Sequence, residues 1–307
     1  MKQAIFETIL AAADPVKGLP ETFHLPTNDV ADDMRFLDGA KDGICLYHMQ
    51  PKEVHFEEEY SEAMYSIVAG DSFKANKLLS DKFALMNFPG MPDLIDPMTQ
   101  WIQRRTELFS NPEVIRYAVM TMTTTDDREL VKFCLVLLSL YDIDPKGEIA
   151  KMIRVLAMSD EFTYYALRIM VLWEKPQAEI YEVARKVHGW GRIHAVNLLD
   201  PANAEQRSWM LTEGWHNSVN ISYSTADIAR KLQLLKIVMK NDLTDDEIRG
   251  ICGIMDGLMT EDRMAGISRR DDKEILMDAF LKAVNGHMLT KEGVDAVSKI
   301  RQYREKK

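Results

Sequence analysis

Four prolines divide the middle of the chain at nearly even intervals, and this spacing constrains the fold more than any other feature. The gaps are 33, 31 and 25 residues, and a glutamate closely follows each proline, in the pairs Pro112–Glu113, Pro145–Glu148, Pro176–Glu179 and Pro201–Glu205. Proline is accepted in the first turn of a helix, and an early glutamate faces the positive helix end. The spacing therefore predicts a new helix at each proline, with the period of a stacked helical repeat.

The segments between these prolines follow a common order of an amphipathic helix, a short polar turn and a more apolar helix. The predicted helix Leu130–Tyr141 is the most apolar, with only Lys132 and Ser139 polar, and Phe162–Trp173 is nearly as apolar. A helix that is apolar on all sides must be covered by several neighbours. We therefore expect the helix pairs to stack against one another, because a single pair could not bury its own apolar surface.

The second helix of each pair carries the closest likeness to a known class. Residues 192–199 (RIHAVNLL) match it best, and residues 165–170 (YALRIM) match more loosely. These paired helices of about 30 residues resemble HEAT-like and armadillo-like α-solenoids over residues 110–240. The resemblance implies an all-α fold in the form of a right-handed α-α superhelix. It does not identify any functional residue in this chain.

Residues 1–92 are predicted to form an irregular, mainly helical N-terminal region. Residues 93–307 are predicted to form stacked helical hairpins with a helical cap at the C-terminus. Prolines and a glycine concentrate in Asn87–Pro97, which makes this segment the best candidate boundary, although one continuous domain is the alternative. Strand-like alternation is scarce. Ile44–Met49 is the best strand candidate, and a helix fits its spacing equally well.

Composition limits the chemistry. The net charge is −10, and the first 110 residues hold 18 acidic against 10 basic residues, so the N-terminal third suits a basic partner or serves solubility alone. The three cysteines, Cys45, Cys134 and Cys252, are too far apart to form a disulfide framework or a metal motif. We expect no metal, no cofactor and a cytoplasmic location.

Two further patterns bear on membranes. The first residues resemble a signal peptide, but Glu7 interrupts a short apolar stretch, so an ordinary helix is expected there. No window reaches the roughly 18 uninterrupted apolar residues of a membrane span. We therefore expect no membrane partner.

The most distinctive local string is residues 188–194 (HGWGRIH), which places a tryptophan between two glycines at a predicted turn. A second tryptophan–histidine pair follows 25 residues later. If the two tryptophans occupy equivalent repeat positions, one exposed ridge would carry the candidate binding residues Trp190, Arg192, His194, Trp215 and His216. The alternative is structural, with the glycines ending a helix and Trp190 covering the core.

The leading functional expectation is a non-catalytic module that binds an unknown protein or peptide. The acidic surface favours a basic partner. A glycosylase-like enzyme on a HEAT-like scaffold is the alternative, with Trp190, Trp215, Arg192 and Asp200 as the residue types that would recognise a base. The net acidity makes a nucleic-acid partner the weaker expectation. A ligand-binding regulatory protein is a third possibility.

Overall fold

A computed structural model of the chain describes residues 3–26, 36–85, 90–261 and 264–306. Every regular element in these ranges is helical, and the only strand-like pairing there is an isolated bridge between Asp14 and Gly18. The chain is therefore all-α, as expected, and its succession of helices is consistent with a helical repeat protein. None of the described helices combines the length and hydrophobicity that a bilayer span requires.

Two compact units divide the chain, Met1–Gly191 and Arg192–Lys307. The division expected at residues 92 and 93 stays a prediction. The first unit contains α1 (Ile5–Ala12), α2 (Ala40–His48), α3 (Phe56–Val68), α4 (Ser72–Ala84), α5 (Pro92–Gln103), α6 (Thr106–Phe109), α7 (Pro112–Thr124), α8 (Arg128–Leu138), α9 (Glu148–Ala157), α10 (Thr163–Met170) and α11 (Pro176–Lys186).

The helix α12 (Trp190–Leu198) contains the division between the units, and most of its residues belong to the second. The second unit continues with α13 (Ala204–Thr212), α14 (Ser222–Leu232), α15 (Leu234–Val238), α16 (Asp245–Thr260), a short 3-10 helix (Ile267–Arg269), α17 (Lys273–Ala283) and α18 (Lys291–Glu305).

The four proline–glutamate pairs mark four helix starts, as predicted. Pro112 and Pro176 are the first residues of α7 and α11, while Pro145 and Pro201 lie in the turns just before α9 and α13. The four glutamates stand in the first turns of these same helices, and they are Glu113, Glu148, Glu179 and Glu205. Local chemistry was sufficient here because a capping position depends only on its nearest neighbours.

Several predicted elements differ from the structure. Of the two alternatives for Ile44–Met49 the structure has the helix, because Ile44 lies within α2 and the following residues continue that helix to His48. The sequence predicts a helix from about Pro97 to Phe109, but α5 already begins at Pro92 and contains Pro97. The sequence also predicts a helix at 29–38, most of which lies outside the described residues.

Two helices near the C-terminus differ from the pattern in the sequence. The helical spacing of apolar residues predicts one helix over Thr225–Lys240, but Gln233 takes a left-handed conformation (φ 57°) and separates α14 from α15. The sequence Thr244–Glu247 predicts a capping box that opens a helix, and reciprocal hydrogen bonds confirm it. This helix is predicted to end near Gly257, but it runs to Thr260 because Gly257 belongs to a packed helix face.

Each unit is organised around one buried helix. In the first unit α8 packs against α4, α7 and α10, and residues 130–138 are buried without exception. In the second unit α16 packs against α13, α14 and α18. The glycines at positions 250, 253 and 257 share one face of α16, where an added Cβ would lie 2.2–2.4 Å from atoms of the neighbouring segments. Small residues on this face let those segments approach closely.

Candidate functional site

Trp190, the central residue of the distinctive string, lies in the core of the first unit. Its side chain is 4% exposed and its ring lies 5.9 Å from that of Tyr47. Gly43 makes room for it, since a Cβ there would come within 2.2 Å of the indole. Trp190 therefore contributes to packing in the way the structural alternative describes.

The remaining four candidate residues belong to the second unit. Arg192 and His194 lie on α12 and are buried, at 9% and 8% exposure. The Arg192 guanidinium donates to the backbone carbonyl of Glu213 (3.1 Å) and lies over the ring of Trp209 (5.1 Å). Burial lowers the pKa of His194 to about 4, so this imidazole is neutral at pH 7.

Trp215 and His216 follow α13 and form a stacked pair. Their ring centroids are 3.6 Å apart with an angle of 29° between the planes. Trp215 is 5% exposed and packs against Gly253 of α16, where a Cβ would lie 2.3 Å from the indole, whereas His216 is exposed. The buried tryptophan thus fixes the plane of an exposed imidazole.

This stacked pair lies in a surface cleft of about 310 Å³ that is formed entirely within the second unit. Three segments contribute: the end of α13 with the following loop, the first turns of α16, and the start of α18. The lining residues are Thr212, Glu213, Trp215, His216, Asp246, Arg249, Thr290 and Glu292. The structure therefore brings two of the five candidate residues to a cleft and places the other three elsewhere in the two units.

The cleft has more negative than positive side chains. It contains three carboxylates and one guanidinium, and Arg249 pairs with Asp246 on the same helix. The side chains of Glu213 and Glu292 form no ion pair or hydrogen bond among the described residues. Two carboxylates are therefore left without a cation of their own.

Burial lowers the pKa of His216, so the imidazole is predominantly neutral at pH 7. The negative charges of Glu213 and Glu292 raise this pKa, whereas the positive charge of Arg192 lowers it further. Both unpaired carboxylates are thus close enough to His216 to influence it. The cleft presents a neutral ring with negative groups around it.

The backbone of the cleft is held by short-range hydrogen bonds. Asn217 accepts from the amides of Val219 and Asn220 and donates to the carbonyls of Trp215 and Asn220. Thr290 caps α18 by accepting from the amide of Gly293 (3.3 Å). Both sides of the cleft are therefore positioned by capping interactions typical of Asn and Thr.

The first unit has a different depression, of about 440 Å³, on the surface of α3 and α4. Its charged groups already have partners: Lys74 pairs with Glu62 at 2.9 Å, and Asp71 caps α4 by accepting from the amide of Lys74. A ligand there would have to displace existing pairs, which makes this depression the weaker candidate.

Sequence reasoning missed a buried charge network in the first unit. The Lys132 ammonium, on α8, lies 2.8 Å from Asp42, 2.9 Å from Glu129 and 2.6 Å from Glu161, and its side chain is 1% exposed. Arg128 extends the network by pairing with Asp38 at 2.9 Å. These groups come from three separate segments, residues 38–42, the start of α8 and the turn before α10, which the network connects.

The network shifts the pKa values of its carboxyl groups in opposite directions. Burial raises the pKa of Asp42 to about 6, against the attraction of Lys132. Burial would also raise the pKa of Glu161, but the positive charges of Lys132 and Arg128 outweigh it and hold that pKa at about 2. A lone lysine in an otherwise apolar helix was the available sign of this cluster.

In the part of the chain that the structure describes, no group of three or more His, Cys, Asp or Glu side chains is arranged to hold a metal ion. The chain matches no family model, and no curated protein or solved structure shows significant similarity to it. The cleft of the second unit, with its stacked ring and unpaired carboxylates, is the candidate functional site.

Proposed function

We propose that this chain is a helical-repeat interaction module, built as a HEAT-like superhelix, that binds a basic segment of a partner protein. The cleft of the second unit is the binding site in this proposal. One observation carries it: Glu213 and Glu292 line a cleft with an exposed ring and have no cation among the described residues.

Electrostatics favour a cationic ligand in this cleft. Three carboxylates face one arginine, and that arginine is already paired with Asp246. A cleft lined with one sign of charge attracts the opposite sign and speeds its association. The net charge of −10 on the whole chain acts in the same direction at longer range.

The order of helices supports an interaction role. Stacks of helical pairs in repeat proteins expose long surfaces that bind peptides and other proteins. Two consecutive helices that pack against each other follow three of the four proline signals, in the pairs α7 with α8, α9 with α10 and α13 with α14. A nucleic-acid role receives less support, because the carboxylates of the cleft repel phosphate groups. Three residues that a base-recognising site would use, Trp190, Trp215 and Arg192, are buried.

The test is affinity capture with the full-length protein from nuclease-treated lysate, followed by quantitative mass spectrometry. Wild type is compared with the cleft variant Glu213→Gln/Glu292→Gln. The matched control is Asp242→Asn/Asp271→Asn, which removes the same charge from two exposed residues of the same unit that line no part of the cleft.

A supporting result is a protein that wild type and control retain and the cleft variant loses, and whose binding region maps to a segment rich in Lys or Arg. Equal retention by the cleft variant would contradict the proposal. So would partners whose binding regions are acidic, or binding that nuclease treatment abolishes.

A further inference from the structure

The geometry points to arginine, and specifically its guanidinium group, as the side chain that the cleft of the second unit recognises. This inference rests on the proposed function and names the chemistry of the partner. It is carried by three features taken together: a flat ring exposed on one side, two unpaired carboxylates from different segments, and a small volume.

The first feature is the exposed face of His216. Trp215 stacks on one side of the imidazole at 3.6 Å and is itself fixed against Gly253, so the ring has a defined plane. A guanidinium is planar and weakly hydrated and stacks on such faces, whereas an ammonium is compact and strongly hydrated. A flat, neutral ring therefore favours arginine over lysine.

The second feature is the origin of the two unpaired carboxylates. Glu213 follows α13, and Glu292 lies in the first turn of α18, which Thr290 caps. A guanidinium carries five N–H donors in a fixed fork and can donate to two carboxylates at once. Asp246 already accepts from Arg249 on the same helix, so the remaining acceptors are Glu213 and Glu292.

The third feature is size. Sites for drug-sized ligands typically enclose about 300–1,000 Å³. The cleft, at about 310 Å³, is at the lower end of that range. This volume suits one long side chain better than an extended segment, so the neighbouring residues of the partner would lie on the surface around it.

The experiment uses the full-length protein and two synthetic probes, glycine-flanked peptides with one central arginine or one central lysine and with blocked ends. The readout is the NMR signal of the Trp215 indole N–H, assigned by its loss in Trp215→Phe. The chain has five tryptophans, so the indole region is sparse enough to follow one signal. Titrations are made at one fixed ionic strength.

We expect the arginine peptide to shift the Trp215 signal saturably and the lysine peptide to bind about tenfold more weakly. Glu213→Gln/Glu292→Gln should weaken arginine binding at least about tenfold, since each lost charge-assisted hydrogen bond matters. Asp242→Asn/Asp271→Asn should bind like wild type. His216→Ala should weaken binding, and His216→Phe should restore it by supplying another ring face.

Equal affinity for the two peptides would overturn the guanidinium inference. Unchanged arginine affinity in Glu213→Gln/Glu292→Gln would overturn it as well, and so would the absence of a saturable shift. If the two peptides bind equally but capture of a basic partner still depends on Glu213 and Glu292, the proposed function is supported and the guanidinium inference is wrong. Both fail if neither peptide binds and capture does not depend on them.

Discussion

The two units handle charge in opposite ways. The first unit encloses Lys132 among three carboxylates in its core, so its charges are paired internally. The second unit keeps a neutral histidine, His194, in its interior and leaves Glu213 and Glu292 unpaired in a surface cleft. Paired buried charges hold segments together, whereas unpaired surface charges are available to a ligand. The contrast separates a structural centre from the candidate site.

The largest expected effect comes from removing the central cation of the first unit. Lys132→Ala leaves Asp42 buried without its cation and Glu161 with Arg128 alone, and losing one partner of a buried pair costs about 3–5 kcal/mol. Urea unfolding measures this loss. Lys151→Ala, which removes a lysine from an exposed pair with Glu148, is the control and should cost less than about 1 kcal/mol.

Neutralising Lys132 together with its three carboxylates should recover much of that loss. In Lys132→Met/Asp42→Asn/Glu129→Gln/Glu161→Gln the ammonium and the carboxylates around it are all uncharged, while Arg128 keeps its pair with Asp38. Replacing a buried ion cluster as a set is often close to neutral in stability. A loss in Lys132→Ala as small as in Lys151→Ala would show that the network does not stabilise the first unit, and would remove the contrast between the units.

A smaller effect is expected where the second unit packs its cleft tryptophan. Gly253→Ala would place a Cβ 2.3 Å from the Trp215 ring, and such overpacking costs about 1–3 kcal/mol. Thermal unfolding measures the loss, and the Trp215 fluorescence should change because the ring must move. Gly147→Ala is the control, since its Cβ would have no neighbour closer than 3.3 Å. Equal effects of the two substitutions would contradict the packing role of Gly253.

The two units should respond to acid in opposite directions. The pKa of Asp42 is raised to about 6 by burial, and burial also raises the pKa of Asp160 to about 6. The folded state therefore binds these protons more tightly than the unfolded state, so lowering the pH from 7 to 5 should stabilise the first unit by about 1 kcal/mol for each group.

The shifted pKa of His194 makes acid destabilising for the second unit. Its folded-state pKa of about 4 lies below the ordinary value of 6.5, so its contribution to stability is complete above pH 6.5 and is lost as the pH falls toward 4. The second unit should lose about 2 kcal/mol between pH 7 and 5. Hydrogen exchange, corrected for the intrinsic pH dependence, measures each unit separately. His194→Gln should remove most of the change in the second unit and leave the smaller part that comes from the lowered pKa of His216. Equal changes in both units would contradict the contrast.

The smallest effect is expected in the cleft itself. Glu213→Gln/Glu292→Gln removes no ion pair and no buried contact, and such surface substitutions usually change stability by less than about 0.5 kcal/mol. The urea midpoint and slope should match those of wild type. A loss above 1 kcal/mol would mean that these carboxylates hold the second unit together, and would make the cleft a structural feature like the network of Lys132.

The features that sequence reasoning predicted correctly depend on a few neighbouring residues. The helix starts at α7, α9, α11 and α13 and the capping box of α16 are set by side chains within one turn. The break at Gln233 was missed because a left-handed glutamine is uncommon and carries no local sign. Pro97 was misplaced because a proline near a helix start does not identify which residue begins it.

The candidate site also contains residues that the sequence indicates and residues that only the packing brings there. Trp215 and His216 belong to the first group, because aromatic residues beside a glycine are distinctive in the sequence. Their partners on α16 and α18 carry ordinary surface residues, and only the packing of those helices brings Asp246 and Glu292 to the cleft. The burial of Trp190 likewise depends on Gly43, which is far from it along the chain.

The amino-acid sequence by itself determined that this chain forms helices and where many of them begin, because propensity, capping and hydrophobic spacing act over a single turn. The tertiary structure decided which charges are buried with partners and which remain free. Lys132 contacts Asp42 and Glu161, and Glu213 and Glu292 line one cleft, because segments that are distant in the chain pack together. Pairing of charges depends on distances of a few ångströms, and only the packed chain sets those distances.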